Sequence, residues 1–164
     1  MKYFGKRSLS SFLSIFLRVG WYVVLVFSII MGIVGYYFFF APNNDPMLTQ
    51  IAHFMNWNIQ NKDWVIFKNL SIFIRILFIP YYIVLVILIL KLIKKGRDLF
   101  TNFKNEILFN KANVNIITSI SKLLIPFSIL TFNFSSLIVS LLLFMLCEIF
   151  KKGSLLQEEH DLTI

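Results

Sequence analysis

The sequence predicts an all-α integral membrane protein: four transmembrane helices in an up-down-up-down arrangement, with a short interfacial helix on the external side. Three observations lead there. The 164-residue chain is 58% apolar, and its 28 Phe, Tyr and Trp residues gather in long blocks instead of alternating with a polar face. The stretch Val19 to Ala41 carries no charge over 23 positions, and about 20 such residues cross a 30 Å hydrocarbon core as a helix. The lysines and arginines lie mainly in the segments between the blocks. Four spans and their connections use up the chain, so it reads as a single membrane domain over 1–164.

The first span is expected at about 19–41. Lys2, Lys6 and Arg7 precede an apolar run from Leu9, interrupted once by Arg18. A cleavable signal needs an apolar region of only about 7–15 residues followed by small residues. This run is longer and ends in Phe38-Phe39-Phe40-Ala41-Pro42, so it reads as an uncleaved span with Arg18 reaching to the headgroups. Ser28 and Gly32 sit on it at small-xxx-small spacing, which permits close helix contact.

Residues 42–69 form the external loop, opened by the turn sequence Pro42-Asn43-Asn44-Asp45-Pro46. Met47, Leu48, Ile51, Phe54 and Met55 then recur at helical spacing, with Trp57 and Trp64 after them. That pattern predicts an amphipathic helix on the membrane surface with its tryptophans at headgroup depth. The second span follows at about 70–92, with Arg75 near its outer end and Pro80 inside. Residues 93–112 are expected to be a cytoplasmic loop.

Leu123 to Cys147 is free of charge for 25 residues and fits one span, which gives three in all. The polar cluster Thr131-Phe132-Asn133-Phe134-Ser135-Ser136 at its middle suits a tight turn instead. Two spans, about 113–130 and 134–150, then form a hairpin, followed by a cytoplasmic tail at 151–164. Asn110 is placed to cap the third span. On that span Val114, Ile117, Ile120 and Leu124 share one side, while Asn115, Ser119 and Lys122 share the other, a stripe expected to face the bundle interior.

Charge orients the four spans. Lys and Arg number four in residues 1–18, six in 91–111 and two after Phe150, against two in the loop 42–69. The positive-inside rule then puts both ends of the chain and the middle loop in the cytoplasm. The same bias accounts for the net charge of +8, so direct nucleic-acid binding is not expected.

The chain resembles a bacterial integral-membrane family, domain of unknown function 2975. The resemblance rests on the four-span outline, on Phe109-Asn110-Lys111-Ala112-Asn113 ahead of the third span, and on the end of the chain, Gly153-Ser154-Leu155-Leu156-Gln157-Glu158-Glu159-His160-Asp161-Leu162-Thr163-Ile164. His160 departs from the family pattern. The resemblance implies the bacterial inner membrane and no assigned activity. It also implies a pairing with a small helix-turn-helix regulator.

The residues themselves offer little chemistry. His53 and His160 fall on opposite sides by this topology, and no Ser-His-Asp, Cys-His, Walker or H-E-x-x-H pattern is present. The expectation is a non-enzymatic protein with no catalytic, cofactor or metal site. Lys122, about 12 Å inside the third span at 1.5 Å per residue, is expected to pair with Glu148, the one acidic residue within a span. Glu158, Glu159, Asp161, Leu162 and Ile164 form a tail suited to docking on the basic middle loop or on a partner. Three functions fit: a membrane regulator or sensor with a soluble cytoplasmic partner, a small transporter or channel subunit using the Lys122 stripe, and a structural or immunity-type membrane protein.

Overall fold

The computed structural model describes residues 3–6, 8–42, 45–54, 66 and 69–162, with backbone alone at 157 and 160–162. Five helices and no strand occur among them: α1 (Leu9–Phe40), α2 (Pro46–Phe54), α3 (Ile72–Lys104), α4 (Lys111–Thr131) and α5 (Phe134–Leu162). The first, third, fourth and fifth are each long and apolar enough to cross a membrane, consistent with a multi-pass membrane protein. Burial is inverted relative to a water-soluble bundle. Val19, Val23, Val26, Ile30 and Ile33 of α1 are exposed, while Ser10, Ser14, Asn113, Ser121, Ser128, Ser140 and Ser154 are buried. A surface this apolar is what lipid tails solvate and water does not.

The structure divides into two compact units, residues 26–86 and residues 1–25 with 87–164. In the first, Tyr82 of α3 lies over Gly32 of α1, its Cε1 3.3 Å from where a Cβ would stand. Its hydroxyl donates to the Ser28 carbonyl at 2.7 Å. The small pair Ser28 and Gly32 therefore admits a tyrosine from within the chain. At the end of α1 the Arg75 guanidinium donates to the Phe39 carbonyl at 2.9 Å, supplying a cation and a donor to a carbonyl that the ending helix leaves open.

The same end of α1 receives α2. Leu48 and Ala52 are buried against Phe38, with Val34, Tyr37, Ala41 and Ile51 packed around them. The sequence pattern had grouped Met47 and Phe54 with this face, but both are exposed. Helical rotation puts Ala52 four residues after Leu48, on the same side, so a methyl completes the seam. Met55, Trp57 and Trp64 lie outside the described residues. Asp45 caps the helix through its carboxylate, which accepts from the Met47 N–H at 2.8 Å, with Pro46 in the first helical position.

In the second unit, residues 93–104, read above as loop, are helical. Gly96 does not end α3 because Leu17 of α1 packs on it, its Cδ1 3.4 Å from a Cβ position. Five residues on, the Ser14 hydroxyl meets that of Thr101 at 2.9 Å. Thr101 already gives its proton to the Arg97 carbonyl, so Ser14 is the donor. Contacts with α1 thus hold this end of α3 in helix. The turn expected at 131–136 is present: Phe132 is left-handed (φ 50°) and its N–H bonds back to Ser128 and Ile129, the Asn133 N–H also bonds to Ser128, and the Asn133 side chain caps Ser136. The tail is also helical, since α5 continues unbroken to Leu162.

Asp45 generates a pH prediction. Its carboxyl is held below the ordinary 3.8, first by the hydrogen bond from the Tyr37 hydroxyl and then by the Met47 N–H. A carboxyl lowered on folding supports the fold in its ionised form, and that support is lost as pH falls through the lowered value. A spin label at Met47→Cys, on a Cys147→Ser background, should stay ordered from pH 7 down to about 4 and loosen only below 3.8. With Asp45→Ala it should be loose throughout. Loosening between pH 7 and 5 would assign the effect to another group.

Candidate functional site

The richest side-chain constellation lies at the corner between α3 and α4. Asn110 caps α4, its side chain accepting from the Ala112 N–H at 2.9 Å. One turn in, Asn113 is fully buried. Its amide nitrogen donates to the carbonyls of Ile107 and Leu108, each at 2.8 Å, and its oxygen accepts from the Asn102 side chain at 2.6 Å. Three hydrogen bonds tie the end of α3, the connecting residues and the start of α4 to one carboxamide. A buried carboxamide left without such partners costs about 1–3 kcal/mol.

The geometry imposed by Asn113 positions Phe109, which starts an aromatic chain. Phe109 meets Phe150 of α5 at 5.3 Å between ring centroids, Phe150 stacks near Phe103 of α3 at 6.2 Å, and Phe4 stands edge-on to Phe103 at 5.7 Å. Two glycines admit these contacts. Gly153 faces the Phe109 ring so closely that a Cβ would meet its Cδ1 at 2.5 Å. Gly5 has φ of 100°, which favours glycine, and its N–H donates to the Phe103 carbonyl at 3.4 Å.

The tail residues sit beside this corner. Glu158 pairs with Lys111 at 2.9 Å, with side chains 49% and 72% exposed. An exposed pair contributes about 0–1 kcal/mol, so Phe109 on Gly153, and not the ion pair, holds the tail. The partner is Lys111 of α4 and not a lysine of α3. Glu159, Leu155 and Leu156 are exposed. Asp161 and Leu162 continue the helical backbone, and Ile164 lies outside the described residues.

Lys122 and Glu148 are both exposed, and no ion pair joins them. Thr118 meets Cys147 at 2.9 Å, which fixes the register of the antiparallel hairpin. Lys122 lies one turn further along α4 and Glu148 lies one residue the other way, an axial offset of roughly 7 Å. Asn115 is likewise exposed and Ser119 half-buried, so the expected stripe does not face α5. Hydroxyls do. Ser140 donates to the Ser121 carbonyl at 2.8 Å, and Ser136 reaches the Ser128 hydroxyl at 2.8 Å. These groups carried no signal in the sequence because single serines in an apolar run are common. Asn113 carried more, as an amide in the first turn of an apolar helix.

Among the described residues no cluster of His, Cys, Asp and Glu is arranged to hold a metal ion. Comparison of the chain with known protein families, with curated proteins and with solved structures gives no match.

The contact of Phe109 with Gly153 is open to a direct test. Gly153→Ala should destabilise the protein by about 1–3 kcal/mol through overpacking, measured as the thermal midpoint in detergent. In the double variant, Phe109→Ala should remove at least half of that penalty, because the two residues are in contact. Strictly additive losses would mean that the ring does not rest on Gly153.

Proposed function

We propose that this chain is a non-enzymatic membrane regulator or sensor that acts with a soluble cytoplasmic partner, and that it belongs with the bacterial family known as domain of unknown function 2975. The observation that carries this reading is the helical arm formed by α5 beyond Phe150. It stands against the α3–α4 corner through Phe109 and Gly153, and it presents Leu155 and Leu156, both exposed, beside the acidic Glu158 and Glu159. Apolar anchors ringed by charge are what a docking helix offers. A small helix-turn-helix regulator is the partner that the family resemblance implies.

A transporter finds less support. Its case rested on the stripe with Lys122 lying inside the bundle, whereas the polar groups between α4 and α5 are hydroxyls that already bond to helix carbonyls. A structural or immunity-type role is the reading left if no partner exists.

The topology that goes with this function is four spans in the bacterial inner membrane, with both ends of the chain and the corner at 105–110 in the cytoplasm and α2 external. The charge bias of twelve against two supports it. On a Cys147→Ser background, Leu156→Cys should resist an impermeant thiol reagent in intact cells and react after lysis, while Met47→Cys should react in intact cells. The opposite pattern would invert the topology. Deleting residues 155–164 should leave membrane insertion intact and abolish capture of the soluble partner in a gentle-detergent pull-down from native membranes. Undiminished capture by the truncated protein would remove the arm from the docking site.

A further inference from the structure

We infer that Arg18, Lys91, Lys94 and Lys95 form a belt that binds the phosphate headgroups of anionic phospholipids, and that this belt sets how deep the helices sit. The inference rests on the membrane reading above and adds a ligand to it. The packing of Leu17 on Gly96 brings α1 and α3 together and puts Arg18 at the depth of the α3 cations. Because Gly96 faces α1, Lys94 and Lys91 point away from α1, with Lys95 next to Lys91 at the side of the helix. Arg18, Lys91 and Lys94 are exposed and Lys95 half-buried. From Lys91 to Lys95 the rise along the axis is about 6 Å, the depth of one headgroup layer.

Among the described residues no carboxylate stands within ion-pair distance of a belt charge. The ion pairs among the described residues are Arg97 with Asp98 and Lys111 with Glu158, and neither involves a belt residue. Immediately on the apolar side lie exposed Val19 of α1 and Ile87 of α3. A ligand that satisfies both zones has an anionic head and acyl tails, which favours a phospholipid over a soluble polyanion. Asn102 lies eight residues past Lys94, about 12 Å along α3. The Asn113 corner and the arm of α5 then stand in water beyond the headgroups, within reach of a soluble partner.

The experiment uses the purified full chain in a neutral detergent, titrated with phosphatidylglycerol, phosphatidylcholine or inorganic phosphate, with binding read by thermal shift and native mass spectrometry. Phosphatidylglycerol should bind in preference to phosphatidylcholine, and less tightly at high salt. The variant Lys91→Gln/Lys94→Gln/Lys95→Gln should lose roughly a hundredfold in apparent affinity, at about 1 kcal/mol per basic residue and 1.4 kcal/mol per tenfold. A control with equal charge loss away from the belt, Lys6→Gln/Lys104→Gln/Lys152→Gln, should stay close to the parent. If the belt variant misfolds, Arg18→Gln/Lys94→Gln should still show a loss of roughly twentyfold by the same reckoning. Equal losses in belt and control variants, equal binding of phosphatidylcholine, or an equal shift with inorganic phosphate alone would each overturn the belt. Since the titration is done in detergent, its outcome is independent of the thiol-labelling test of topology.

Discussion

One buried carboxamide organises the end of this molecule where chemistry gathers. Asn113 uses both its donors and its acceptor on the neighbouring backbone and on Asn102, so the chain reverses between α3 and α4 around a buried amide with no polar atom left unpaired. The reversal fixes where Phe109 points. Phe109 in turn decides that residue 153 has no side chain, and the gap at Gly153 is what lets α5 continue past Phe150 alongside the corner. Each step is steric or hydrogen-bonded, and none depends on charge. The ion pair between Lys111 and Glu158 sits on the outside of this arrangement and trims it.

Elsewhere the helices follow the logic of a nonpolar solvent. Apolar side chains face outward because lipid tails are as apolar as the interior would be, so burial of leucine gains little. What remains to hold helices together is close approach and polar contact. Gly32 beneath Tyr82, Gly96 beneath Leu17, and the hydroxyls of Ser14, Ser128, Ser136 and Ser140 each permit or make such a contact. Every one of these hydroxyls lies next to a backbone carbonyl or another hydroxyl, which keeps its proton satisfied away from water.

Much of the fold was legible in the sequence, and for specific reasons. An apolar run of bilayer length is a strong signal, and so were the turn at Phe132-Asn133 and the cap at Asn110. The candidate site was legible only in outline. Phe109, Asn113 and Gly153 were all visible as parts of a family-like pattern, but their meeting was not, because Gly153 is 40 residues from Asn113 along the chain. The pairing expected between Lys122 and Glu148 is likewise a matter of register. Both charges were rightly placed on neighbouring helices, but the pairing hinged on an axial register that the sequence does not encode in any single residue.

The sequence by itself determined that the chain is helical, which stretches are apolar enough to cross a membrane, and where its charges fall along them. Those properties depend on residues within one turn or one span of each other. Tertiary structure decided which face of each helix is used. It put serines inside and Lys122 outside, carried α3 and α5 past their apolar segments, and gathered Asn102, Phe109, Asn113, Phe150 and Gly153 at one corner. The physical reason is that helix periodicity defines the faces, while only the register between packed helices, set by glycine gaps and hydrogen-bonded hydroxyls, chooses among them.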